Sequence, residues 1–125
     1  MKLSLRQIVY YRALLCISLV VITYLATTAL EFTVVSSVYD KLNHFVAFLV
    51  LALLVDFSFP NSRFNTVKIL SLIVYGFSLE IIQHFLLHRM FSLLDIGADI
   101  TGLFGYGLLI PFIKRLPIFN DRWAN

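Results

Sequence analysis

Charge is the scarcest component of this sequence. Its 125 residues hold ten lysines and arginines and seven aspartates and glutamates, so charged residues make up 14%, against about 25% in globular domains. A soluble fold of this size leaves much of its surface in water and needs polar side chains to cover it. The shortage therefore excludes a conventional soluble enzyme. A single cysteine excludes a secreted domain stapled by disulfides. A hydrophobic content of 60% excludes a disordered chain. Internal repeats, low-complexity tracts and linkers are also missing, which leaves one domain over residues 1–125. The formal charge is +3, but the basic residues are scattered among apolar runs. They fit the setting of membrane topology better than a nucleic-acid surface, and no nucleic-acid partner is expected.

What the chain does have is apolar runs of membrane length, which takes about 20 residues. Residues 13–30 carry no charge, between Arg12 and Glu31. Residues 42–59 include His44 and Asp56 and are stopped by Pro60-Asn61-Ser62. Residues 67–87 include Lys68, Glu80, Gln83 and His84, and residues 93–113 include Asp95 and Asp99. Pro111 and Lys114-Arg115 close the last run. The expected fold is all-α, a membrane-embedded bundle of four transmembrane helices. A cleaved signal peptide is the competing reading of the first run, with Lys2, Arg6 and Arg12 before it and Thr27-Thr28-Ala29 as a cleavage site. Its 18 apolar residues exceed the roughly 7–15 of a signal peptide, which favours a retained helix. Lys2, Arg6, Arg12, Arg63, Lys68, Lys114, Arg115 and Arg122 fall on one side of the four spans, and Lys41 and Arg89 on the other. By the positive-inside rule both termini are expected in the cytoplasm.

On that topology, polar residues gather at the external ends of three spans. Asp40, Lys41 and His44 begin the second; Glu80, Gln83 and His84 end the third, followed by Arg89; Ser92, Asp95 and Asp99 begin the fourth. Asp40/His44, Glu80/His84 and Asp95/Asp99 are each spaced i,i+4, which puts each pair on one helix face. A charged group inside a bilayer costs at least about 2.5–3.5 kcal/mol, so such groups face the bundle interior and find partners there. The acids outnumber Lys41 and Arg89, so the cluster needs protons, a protonated histidine or a cation, and at least one acid is expected to be neutral. Helix capping by Asp40 or Asp95 and snorkelling of Arg89 are the plainer accounts of those residues.

The blocks Asp40-Lys41-x-x-His44-Phe45, Glu80-x-x-Gln83 and Arg89-x-x-Ser92-x-x-Asp95, followed by Gly102 and further glycines, appear here in order. This arrangement resembles the VanZ-like family of small bacterial membrane proteins, named for an accessory protein linked to teicoplanin tolerance. The resemblance runs from about Asp40 to about Gly107. It implies a multi-pass protein of the bacterial plasma membrane, associated with the cell envelope and antibiotic resistance; it names a cellular association rather than a reaction. Where the family commonly carries asparagine, this chain has Asp99, which makes the site more negative.

Three functions follow. The first is binding or handling of a lipid-linked or cell-wall ligand in a polar cleft open to the outer leaflet. The alternative is an intramembrane enzyme with Glu80 or Asp95 as general acid/base and Arg89 holding a phosphate. A small proton- or cation-coupled transporter is third, disfavoured by four short helices without a repeat. His44, His84, Glu80, Asp95 and Asp99 offer metal ligands, but HExxH and CxxC are missing, so neither metal nor other cofactor is expected. A G-x-S-x-G elbow is missing too, which leaves Ser92 without a nucleophile's setting. The small-residue pattern Ala98-x-x-x-Gly102 on the helix over 93–113 is expected to serve packing within the bundle, ahead of a homo-oligomer through that helix. Surrounding lipid is the remaining partner. Cys16, Tyr24, Tyr75 and Tyr106 are expected in the core, Asp56 paired with Arg63 or Lys68 at the cytoplasmic surface, and Trp123 among headgroups.

Overall fold

A computed structural model describes residues 3–27, 37–86 and 93–123, with side chains of the second stretch described from Lys41 onward. Four α-helices run in sequence: α1 (Leu5–Thr27), α2 (Ser37–Ser58), α3 (Thr66–Leu86) and α4 (Leu93–Ile113). At 1.5 Å per residue each is about 30 Å long, the thickness of a bilayer's hydrocarbon core. All four are long and apolar enough to cross a membrane.

Helix ends follow local chemistry. α1 begins eight residues before the uncharged run because Ser4 and Gln7 form a capping box. Gln7 N–H donates to Ser4 Oγ at 3.2 Å, and Ser4 N–H donates to Gln7 Oε1 at 2.8 Å. Arg6 and Arg12 therefore lie inside the helix. Arg12 Nε donates to the Ser58 carbonyl at 2.9 Å and its guanidinium stacks on Phe59 at 5.0 Å, closing the C-terminal end of α2. Asn65 caps α3 by accepting from Lys68 N–H at 3.2 Å.

α2 is the hub, packed most extensively against α4 and then α1. Phe48, Leu51 and Ala52 of α2 meet Leu15 of α1, Leu72 of α3, and Leu103 and Tyr106 of α4 in one core. The close approach of α4 depends on Gly102, where a Cβ would lie 2.4 Å from the Phe45 carbonyl oxygen. Gly105 lies against the Phe45 ring. The small-residue face of α4 is thus filled by α2.

α1 is held differently. Leu15 is its buried residue. Hydrogen bonds do much of the joining: Thr23 Oγ1 with Tyr75 OH at 2.7 Å, Tyr75 OH to the Leu19 carbonyl at 3.3 Å, and Gln83 Nε2 to the Ala26 carbonyl at 3.0 Å.

The distribution of polarity is inside out. Asp56, Lys68, Glu80, Gln83, Asp95, Asp99 and Arg122 are buried, while Val20, Val74, Phe85, Leu108 and Phe112 are exposed. Such a surface suits lipid. Two expected core residues belong to it: Cys16 is exposed, and so is Tyr24. Tyr106 is in the core and Tyr75 half-buried beside it.

Candidate functional site

At the end of the bundle away from the termini, α2 supplies Lys41 and His44, α3 supplies Glu80, and α4 supplies Asp95 and Asp99. Asp95 in the first turn of α4 is 2% exposed, and its Oδ1 is ion-paired with Lys41 Nζ. Lys41 keeps 31% of its side chain exposed, so it links the buried carboxylate to the outside. One turn deeper, His44 Nδ1 donates to Asp99 Oδ1 at 2.8 Å. That bond fixes the neutral ring's tautomer and turns Nε2 towards Asp95, whose Oδ2 is 3.7 Å away. Glu80, 3% exposed, brings a carboxylate oxygen within 4.8 Å of ligand atoms of Asp95 and His44.

Room for this arrangement comes from Gly76 of α3. A Cβ there would sit 2.8 Å from Asp99 Oδ2 and 3.2 Å from Phe48 Cζ. Sequence reasoning missed Gly76, since a glycine within an apolar run gives no sign of what crosses its face. His44, Glu80 and Asp95 each offer a ligand atom, all within 4.8 Å of one another. Nitrogen and oxygen donors at this spacing can hold a divalent cation, and Asp99 supports the imidazole from behind as carboxylates do for metal-bound histidines. The donors come from three helices, so no compact motif announces them.

Other expected site residues lie elsewhere. Glu80 and His84 do not share the buried face: the turn that buries Glu80 and Gln83 leaves His84 exposed, its ring edge-on to Phe85. A helix advances about 100° per residue, so i,i+3 and i,i+4 fall on opposite flanks of a face, and a narrow seam admits one of them. Gln83 ties α3 to α1. The side chain of Asp40, in the first turn of α2, and Arg89 and Ser92 lie outside the described residues.

A second polar cluster occupies the opposite end. Asp56 is fully buried rather than at the surface, and Arg63 is not its partner. It accepts from Lys68 Nζ at 2.9 Å, Arg122 Nη2 at 3.0 Å and Tyr106 OH at 2.6 Å. Lys68 also donates to the carbonyls of Phe59 and Ser62, and Arg122 Nε to that of Asp56. The clasp thus fastens the tail to the α2–α3 connection. Trp123 packs edge-on against Phe57 at 5.5 Å. No protein-family model, curated protein or solved structure matches the chain.

Proposed function

We propose that the chain is a VanZ-like membrane protein that binds or handles a polar, lipid-linked ligand of the cell envelope. One observation carries this reading. Five ionisable side chains from three helices, four of them in motif blocks of that family and the fifth, Asp99, where the family commonly carries asparagine, converge at one end of the bundle. Burying carboxylates in a bilayer costs at least about 2.5–3.5 kcal/mol each, which favours a use for them beyond packing. Glu80, Asp95 and Asp99 against Lys41 give the described cluster a formal charge of −2 with neutral His44, so it favours a ligand presenting a cation or hydrogen-bond donors.

Both termini are assigned to the cytoplasm, which turns the cluster to the outer leaflet of a bacterial plasma membrane. The basic residues support this: Arg6, Arg12, Arg63, Lys68, Lys114, Arg115 and Arg122 are at the end of the bundle that carries the termini. Teicoplanin tolerance is the phenotype to examine.

The test is Glu80→Gln, which keeps shape and hydrogen bonding while removing an acid. The purified variant is expected to melt at or above the wild-type temperature in detergent, since a costly buried acid is gone. The envelope phenotype is expected to disappear. A variant that is well folded and fully active overturns the assignment.

The orientation of His44 favours a second reading, an enzyme acting by acid/base chemistry. Its Nε2 is turned towards Asp95 by the Asp99 hydrogen bond, as a general base is oriented by a carboxylate. Catalytic turnover of a lipid-linked wall precursor by the purified protein in lipid selects this reading over binding alone.

A further inference from the structure

Three basic side chains meet at a cavity on the end of the bundle that carries the termini, far from the cluster described above. The cavity, of about 590 Å³, lies between Arg63 and Phe64 of the α2–α3 connection, Ile110 and Lys114 at the end of α4, and Arg122 and Trp123 of the tail. No acid lines it. Its volume is in the range of small-molecule sites, roughly 300–1,000 Å³.

Two of the three cations are not spent on ion pairs within the protein. The side chains of Arg63 and Lys114 make no hydrogen bond or ion pair among the described residues, and Lys114 Nζ stands over the Trp123 ring at 5.7 Å. Arg122 is 5% exposed and held on one side by Asp56 and by the Ser62 carbonyl, 2.6 Å from Nη2. Its other amine, Nη1, has no hydrogen bond among the described residues. The clasp therefore presents one fixed guanidinium nitrogen, Nη1, beside two cations that carry no ion pair among the described residues. Asp56 is consumed by the clasp, and Asp121, the neighbour of Arg122, is not part of the lining. Basic side chains so placed suit a phosphate, to which guanidinium donates in bidentate fashion.

The rest of the wall identifies the source of that phosphate. Phe64 and Ile110 give it an apolar side, and the helices that end here are long and apolar enough to cross a membrane, which sets the mouth at headgroup level. A phosphodiester carrying acyl chains matches a basic mouth with an apolar side at that level, whereas a free phosphate ion uses half of it. An indole at the rim suits the headgroup level. We propose that this cavity binds the phosphate of an anionic phospholipid, seating its headgroup on Arg63, Lys114 and Arg122.

The experiment uses the full chain, purified in neutral detergent, with native mass spectrometry for lipid retention and thermal unfolding for stability. Phosphatidylglycerol, phosphatidylcholine and inorganic phosphate are the probes. The wild type is expected to retain phosphatidylglycerol roughly tenfold or more over phosphatidylcholine, the weight of two phosphate-contacting cations. Arg63→Gln/Lys114→Gln should lose most of that preference, while Arg115→Gln, an exposed cation outside the cavity, should keep it. Neither substituted side chain makes a hydrogen bond or ion pair among the described residues, so the fold should persist; if the double variant does not fold, each single variant should lose part of the preference. Equal retention of the two lipids overturns the proposal, as does an equal loss in Arg115→Gln, which marks a diffuse surface field. Stabilisation by inorganic phosphate that displaces phosphatidylglycerol overturns it in favour of a free-anion site.

Discussion

Two glycines on α4 have opposite surroundings. At Gly102 an added methyl meets the Phe45 carbonyl oxygen at 2.4 Å and the Leu49 nitrogen at 3.1 Å, both backbone atoms that cannot yield without separating α4 from α2. At Gly97 it meets nothing within 4 Å. Gly102→Ala should therefore destabilise the bundle by about 1–3 kcal/mol. Gly97→Ala should be neutral or stabilising by up to about 1 kcal/mol, because alanine is the better helix former. Thermal unfolding of both variants in one detergent decides it. Gly76→Ala acts on the site, since its methyl displaces the Asp99 carboxylate that orients His44. Asp99→Asn should be far milder, because the amide oxygen still accepts from His44 Nδ1. If phenotype follows melting temperature across Gly76→Ala, Asp99→Asn and Glu80→Gln, the cluster serves folding and is not a ligand site.

Among the helices, the charge clasp sets a hierarchy. Asp56 joins α2 to Lys68 of α3, Tyr106 of α4 and Arg122 of the tail, all away from water. Asp56→Asn leaves two cations buried without their carboxylate and should cost on the order of 3–5 kcal/mol. Lys68→Met should cost less, since Arg122 still answers the carboxylate. Denaturant unfolding of both variants gives the order. This clasp also marks the limit of sequence reading. The second, third and fourth helices were legible because each is an apolar run of bilayer length, and they match the expected ends closely except that α2 starts at Ser37. The early start of α1 was legible too, in Ser4-x-x-Gln7, but a search for uncharged residues passes over it. Lys41, His44, Glu80, Asp95 and Asp99 could be grouped because all sit at the same depth on neighbouring spans. Arg122 could not be assigned to Asp56, 66 positions away, because a polar tail gives no periodicity from which to infer where it docks. The exposure of His84 was hidden for a related reason: spacing gives a face, and packing decides how wide that face is.

For the molecule as a whole, a polar interior in an apolar shell makes orientation the main unknown that experiment can fix. Single cysteines at Ser36 and Phe91, both outside the described residues, should react with an impermeant thiol reagent added to intact cells. A cysteine at Asn61, exposed in the α2–α3 connection, should not. Cys16 is exposed on α1 and must first become serine. Labelling of Asn61→Cys alone reverses the orientation and moves the His44 cluster to the cytoplasmic leaflet. The docked tail offers something further. The chain holds one tryptophan, and Trp123 is set against Phe57 at 5.5 Å with Lys114 and Arg122 over its ring. Light absorbed by indole is therefore emitted from one known place, the seam between tail and α2. Release of the tail puts that indole into water and should shift its emission to longer wavelength, ahead of any loss of helicity. The protein thus carries its own optical gauge of whether its last residues are fastened, with no added dye.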